Sequence, residues 1–414
     1  MIPFSEFTLD NGLRVIVHED PNVEIAVLDV LYDVGARDEH PQKTGFAHLF
    51  EHLMFGGSVN IPDYDEPLQM AGGENNAFTS NDITNYYVVL PASNIETAFW
   101  LESDRMLGLS FDPKVLDVQR KVVVEEFKQR YLNQPYGDAW LKFRPLAYKV
   151  HPYQWATIGK DPSHIEQATM DDVREFFYSH YIPNNAVLVV AGKVTAEQAR
   201  RLATEWFGPI PSRPKKPRHL PQEPPQVHKQ FLRTEAAVPA NALYMAWHMP
   251  GRFDDQYYPA ELLSDLLGRG ESSRLYVELV KEKELFTSIS AYVTGSIDPG
   301  LLVVSGRLKR GITPEQGEEA VQHIITDLLQ KGITEKELTK VKNQMLMSLE
   351  FEEVEVLNRA INLAFASLSG DTGRVNWERN RYQQLTVHAL QETAHRLLTE
   401  KNCSVMHYCS TSAA

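Results

Sequence analysis

Within residues 44–57, TGFAHLFEHLMFGG, His48 and His52 stand four positions apart and Glu51 directly precedes the second histidine. On an α-helix, side chains four apart project from one face, near enough to hold a single ion. Two neutral imidazoles beside a carboxylate suit zinc, which takes nitrogen and oxygen ligands and, in a hydrolytic site, keeps one position open for water. The order H-x-x-E-H reverses the commoner zinc motif H-E-x-x-H. A lone histidine flanked by Leu49, Phe50, Leu53 and Met54 would read as a hydrogen-bonded core residue, whereas two of them with Glu51 between read as a metal site. The expected chemistry is hydrolysis assisted by one zinc ion per chain. Glu51 is the general base that takes a proton from water and then the acid that delivers it to the leaving group.

The elements that must position these residues follow from their neighbours. Apolar spacing predicts a helix over 45–55, stopped at Gly56-Gly57. Strand-like stretches rich in β-branched and aromatic residues occur at 12–18, 25–34, 84–90 and 185–194, and helical patterns at 95–107, 113–131 and 169–178. The same order returns later. Strands are predicted at 242–249, 300–308 and 403–408, with helices at 259–267, 313–330, 334–349 and 387–398. The expected class is α+β: two homologous sandwich domains, each a mainly antiparallel sheet with helices packed on one face. The stretch 211–227 is dense in proline and cannot form a helix or a central strand. It is read as a linker between a metal-bearing domain, 1–210, and a homologous domain without a metal site, 228–414. Two local pairings support duplication: 112–126 resembles 334–348, and 47–54 lies on 260–267. At the positions of His48, Glu51 and His52 the second copy carries Glu261, Ser264 and Asp265.

At 414 residues, more than one domain is the default, and 43% hydrophobic residues supply the cores. A net charge of -14 leaves no basic excess for phosphates, so nucleic acid is not an expected partner. Cys403 and Cys409 cannot form a disulfide framework and read as buried thiols of a reducing compartment. No stretch is apolar enough to span a membrane, and 1–10 lacks the pattern of a secretory leader. The expected compartment is the cytoplasm, or the periplasm if a leader has been removed.

The residues around His48 to His52, together with 76–87, resemble the pitrilysin family of zinc metallopeptidases, the inverzincins, which includes insulysin and the mitochondrial processing peptidases. The resemblance is strong over 9–131, moderate over 169–209 and weaker but in the same order beyond. It implies a third zinc ligand on a later helix; 119–127 reads QRKVVVEEF, which places that ligand at Glu126, with the adjacent Glu125 as the contender. Gln119 stands where many members carry a second glutamate, and there it would support the site from outside the ligand set. The segment 72–91, GGENNAFTSNDITNYYVVLP, is similar to an edge strand that pairs with extended peptide, with Asn76 and Ala77 as substrate contacts. Members that close around a peptide also bring an arginine and a tyrosine from the domain without zinc. Here Val280 and Thr287 stand at those positions, or Lys281 at the first with a one-residue gap, so the pair is absent. The resemblance therefore implies a zinc endopeptidase acting on extended or unfolded peptides. Its partner would be a homologous subunit that supplies the missing pair across a heterodimer, or else a second copy in a homodimer. The alternative is a catalytically silent structural or assembly subunit.

Overall fold

The computed structural model describes residues 1–411, which fall into two compact units. The first comprises 1–128, 155–221 and 350–378. Its sheet is built from β1 (Ser5–Thr8), β2 (Arg14–Glu19), β3 (Ile25–Tyr32), β4 (Glu74–Thr79), β5 (Thr84–Pro91) and β6 (Ala186–Gly192). They lie in the order β1-β2-β6-β3-β5-β4, and only β2 and β6 run parallel. β3 and β6 read as nearly continuous apolar runs because both of their faces are buried. One face carries the helices Ile95–Leu107 and Ala196–Trp206, with the histidine-bearing helix Phe46–Leu53 against β4. The other face is not left to solvent. Val27, Leu31, Val187, Val189 and Ala191 pack there against Val356, Ala360, Leu363 and Ala364 of the helix Val356–Ser367.

The second unit comprises 129–154, 222–349 and the chain from Arg379 onward. Its strands are β7 (Gln230–Ala236), β8 (Ala242–Met249), β9 (Phe286–Val293), β10 (Gly300–Leu308) and β11 (Cys403–Ser410). Their order is β7-β11-β8-β10-β9, with β7 and β11 the parallel pair. With β1 set aside, order and directions repeat those of the first sheet, which gives the duplication a structural footing. The helices Tyr257–Gly268, Pro314–Lys331 and Val387–Leu397 pack on this sheet or on one another. Ala139, Phe143 and Ala147 of the helix Ala139–Ala147 join the core formed with Ala242, Tyr244, Val303 and Met406.

The architecture is α+β with two mixed, mainly antiparallel sheets. Each sheet also draws a helix from the other side of the proline-rich segment, so the compact units are not the contiguous stretches that this boundary alone implies. The predicted helix 113–131 ends at Phe127 and continues as one wider turn, Lys128–Leu132, none of whose residues is buried. The proline-rich segment has no regular structure, yet it is tied down. Arg218 bonds Asp38 (Nε to Oδ1, 2.6 Å) and Asp33 (Nη2 to Oδ1, 2.9 Å), Lys215 reaches Asp33 at 3.1 Å, and Asn184 donates to the Arg213 carbonyl at 2.9 Å.

Candidate metal centre

The helix Phe46–Leu53 buries Phe46, Ala47, Leu49, Phe50 and Leu53, which leaves His48, Glu51 and His52 on its opposite, half-buried side. Successive residues turn by about 100°, so these three fall within a sector of about 100°. The imidazole rings of His48 and His52 have centroids 5.0 Å apart. Its C-terminal end leads into Phe55, whose ring lies 5.2 Å from the guanidinium of the fully buried Arg105. Arg105 is held by an ion pair with Glu102 and lies against the rings of Tyr64 and Tyr86, at 4.6 and 4.5 Å. Burial raises the hydroxyls of Tyr86 and Tyr181, and the neighbouring Glu51 carboxylate adds to the rise in both, so these phenols stay protonated.

Glu126 comes from the helix Pro113–Phe127, which starts with Asp112 as N-cap, its carboxylate accepting from the Lys114 N–H. Oε2 of Glu126 lies 3.7 Å from Nε2 of His48 and 3.5 Å from Nε2 of His52. One ligand atom from each of the three residues lies within 4.8 Å of the others. Two ligands of a tetrahedral zinc, each about 2.1 Å from the ion, are about 3.4 Å apart. The donor set of two imidazoles and one carboxylate fits zinc in both chemistry and spacing, with a fourth position left for water. Glu125 points elsewhere: its side chain is 59% exposed against 18% for Glu126, and it bonds Lys128 at 2.6 Å.

Gln119 is half-buried two helical turns before Glu126, about 10 Å along the axis, and among the described residues it makes no hydrogen bond to either histidine. Asn76 and Ala77 lie on β4, the edge strand beside the histidine helix, paired with Tyr87 and Tyr86. The Ala77 N–H is not spent on β5; it donates to the Asn76 side-chain oxygen at 2.8 Å, so the strand's outer edge keeps a donor that an extended chain could take over. In the second unit Val280 lies in the turn Tyr276–Glu282, and the Thr287 hydroxyl donates to the Arg307 carbonyl at 3.1 Å. Lys281 pairs with Glu271 at 3.7 Å.

Where the second unit repeats this scaffold, hydrogen bonds and an ion pair tie down the corresponding residues. In the paired stretches 47–54 and 260–267, Asp265, Ser264 and Glu261 stand at the positions of His52, Glu51 and His48, and in 112–126 and 334–348 Ser348 stands at that of Glu126. Arg269 bridges two of them, donating to Asp265 Oδ2 at 2.9 Å and to the Ser348 hydroxyl at 2.7 Å. Glu261 accepts from the Tyr382 hydroxyl, and Ser264 donates to the Glu261 carbonyl at 2.8 Å. A guanidinium thus supplies the positive charge between these positions. Sequence reasoning registered the substitutions but not Arg269, because an arginine one turn past Asp265 looks like any exposed helix end.

Residues 14–138 match the profile of Insulinase (Peptidase family M16), and 167–345 match that of the Peptidase M16 inactive domain. The chain is 32% identical over 349 residues to the zinc protease PqqE of Helicobacter pylori, across 81% of this chain and 77% of that one. It is 23% identical over 354 residues to a probable mitochondrial-processing peptidase subunit beta of Arabidopsis thaliana, across 83% and 66%. Among solved structures, a protease from Helicobacter pylori superposes with a TM-score of 0.92 at 26% identity, covering 99% of this chain and 100% of that one. The matched inactive-domain region begins after Glu126, so it excludes the histidines and both candidate glutamates.

Proposed function

The chain belongs to the M16 (insulinase) family of peptidases, and on that premise we propose that it is a zinc-dependent endopeptidase cleaving extended or unfolded peptides. The observation that carries this reading is the convergence of His48, His52 and Glu126 from two helices at zinc-ligand spacing, with Glu51 on the same helix face as the histidines. These three residues would hold the ion. When bound, zinc polarises the scissile carbonyl and brings the pKa of a water toward neutrality. Glu51 takes the proton of the attacking water and returns it to the leaving amine nitrogen. The free edge of β4 at Asn76 and Ala77 orients the peptide by backbone hydrogen bonds, which asks little of its side chains.

The absence of an arginine at Val280 and of a tyrosine at Thr287 supports a paired assembly in which a homologous subunit supplies these groups. The relative named as a subunit beta points the same way. A silent structural subunit is the less supported reading, because the first unit keeps His48, Glu51, His52 and Glu126, whereas the paired positions of the second carry Glu261, Ser264, Asp265 and Ser348. The test is Glu51→Gln. The variant is expected to bind zinc as the parent does and to cleave peptide about 10²–10⁴-fold more slowly. Unchanged cleavage would remove Glu51 from the mechanism.

A further inference from the structure

The helix that carries His48, Glu51 and His52 has eight residues and no side-chain cap. A helix that short is marginal in water, and its first N–H groups need acceptors from outside. Gly45, at its start, is left-handed with φ 88° and has no side chain to offer. The acceptors come from Glu39. Its Oε2 accepts the Gly45 N–H and its Oε1 the Ala47 N–H, each at 2.8 Å. The Glu39 side chain is buried, and each of its oxygens accepts one N–H at this helix start, with the Trp155 side chain as a further hydrogen-bond neighbour. Burial pushes the Glu39 carboxyl up, and the two N–H bonds from Ala47 and Gly45 work against that rise.

The surroundings leave the helix start little freedom. The Lys160 N–H donates to the Thr44 hydroxyl at 3.0 Å. A Cβ on Gly45 would come within 2.6 Å of the Ile158 carbonyl oxygen. Arg120, on the helix that carries Glu126, donates to the carbonyls of Glu166 and Ala168 at 3.2 and 2.8 Å. The segment that encloses the start of one ligand-bearing helix therefore also grips the other. Ala47, whose N–H is fixed by Glu39, directly precedes His48.

We propose that Glu39 is a positioning residue of the metal centre: by capping the histidine helix from outside it, Glu39 fixes the rotation and height at which His48 and His52 meet Glu126. This rests on the zinc reading above. No local pattern announces it, since the capping carboxylate lies six residues before Gly45.

The test is a zinc competition titration, with the visible spectrum of the cobalt-substituted protein as a second readout, on the whole chain and on Glu39→Gln, Glu39→Ala and Arg269→Ala. Glu39→Ala is expected to weaken zinc binding about 10–100-fold, the range for groups that orient metal ligands, and to shift the cobalt bands. Glu39→Gln keeps the shape and one acceptor oxygen but turns an amide N–H toward a helix N–H, so an intermediate loss is expected; it carries the comparison if the alanine variant does not fold. Arg269→Ala disturbs the other unit and is expected to bind as the parent does. Parent affinity and parent spectrum in both Glu39 variants would overturn the proposal, as would an equal loss in Arg269→Ala. A parent chain that binds no zinc at all would overturn the zinc reading and this inference with it.

Discussion

Nε2 of His52 and Oε2 of Glu126 lie 3.5 Å apart although their helices are distant in sequence. Neither helix alone makes a site. On the proposed zinc reading, the histidine helix would offer two ligands and a base, and the packing of Pro113–Phe127 against it would bring the third ligand. The two adjacent glutamates are separated by their direction on that helix, and this gives the first prediction.

Glu126→Gln is expected to lower zinc affinity by more than about 100-fold, beyond the 10–100-fold typical of outer partners. Glu125→Gln is expected to stay within about threefold of the parent, the scale of an exposed substitution. Competition titration against a chromophoric chelator separates the two. Equal losses would mean that the helix register is wrong.

The edge of β4 yields the second. Ala77→Pro removes the N–H that faces away from β5 and costs no ladder hydrogen bond, which a sheet edge tolerates. Zinc content and unfolding midpoint are expected to hold while kcat/KM for peptides falls about tenfold, roughly one backbone hydrogen bond. If kcat/KM does not move, peptide does not pair with this edge at Ala77.

How far the sequence spoke depends on the range of the interaction. His48, Glu51 and His52 were legible because a helix brings positions i, i+3 and i+4 together without help from elsewhere. Glu126 was reached only through family resemblance, since no local periodicity states which helix packs beside another. The helix Val356–Ser367 shows the same limit. It was not among the expected helices, and nothing local in the sequence states that it covers the sheet formed by β2, β3 and β6 near the other end of the chain. Glu39 and Arg269 lay beyond reach for a related reason: each acts on groups that only the tertiary fold brings to it.

Acid sensitivity in the second unit is the third prediction. Burial works to raise the Glu337 carboxyl, but Arg274, at 2.7 and 2.9 Å, and the N–H and hydroxyl of Thr334, at 2.9 and 2.8 Å, outweigh it and hold it at about 2 against an ordinary 4.5. A carboxyl depressed in the folded state adds stability above its unfolded pKa and loses it as pH falls toward the folded value. The window therefore runs from 4.5 down to about 2. Because the group is partly solvated, the expected size is about 1 kcal/mol and not the full shift. Glu337→Gln should unfold at lower urea than the parent at neutral pH, and the gap should narrow as the pH is lowered through this window. A gap that stays constant would mean that Glu337 is not held down in the folded state.

Zinc-dependent peptide hydrolysis is the centre of this account, and removal and return of the metal test it most directly. The chain, purified from its own cells with any partner it retains, would be given an unstructured quenched fluorescent peptide before chelation, after chelation and after one equivalent of zinc is restored. Cleavage is expected to disappear with the metal and to return with it. Cleavage that survives complete removal of zinc, or a fully zinc-loaded protein that cuts no unstructured peptide, would contradict it.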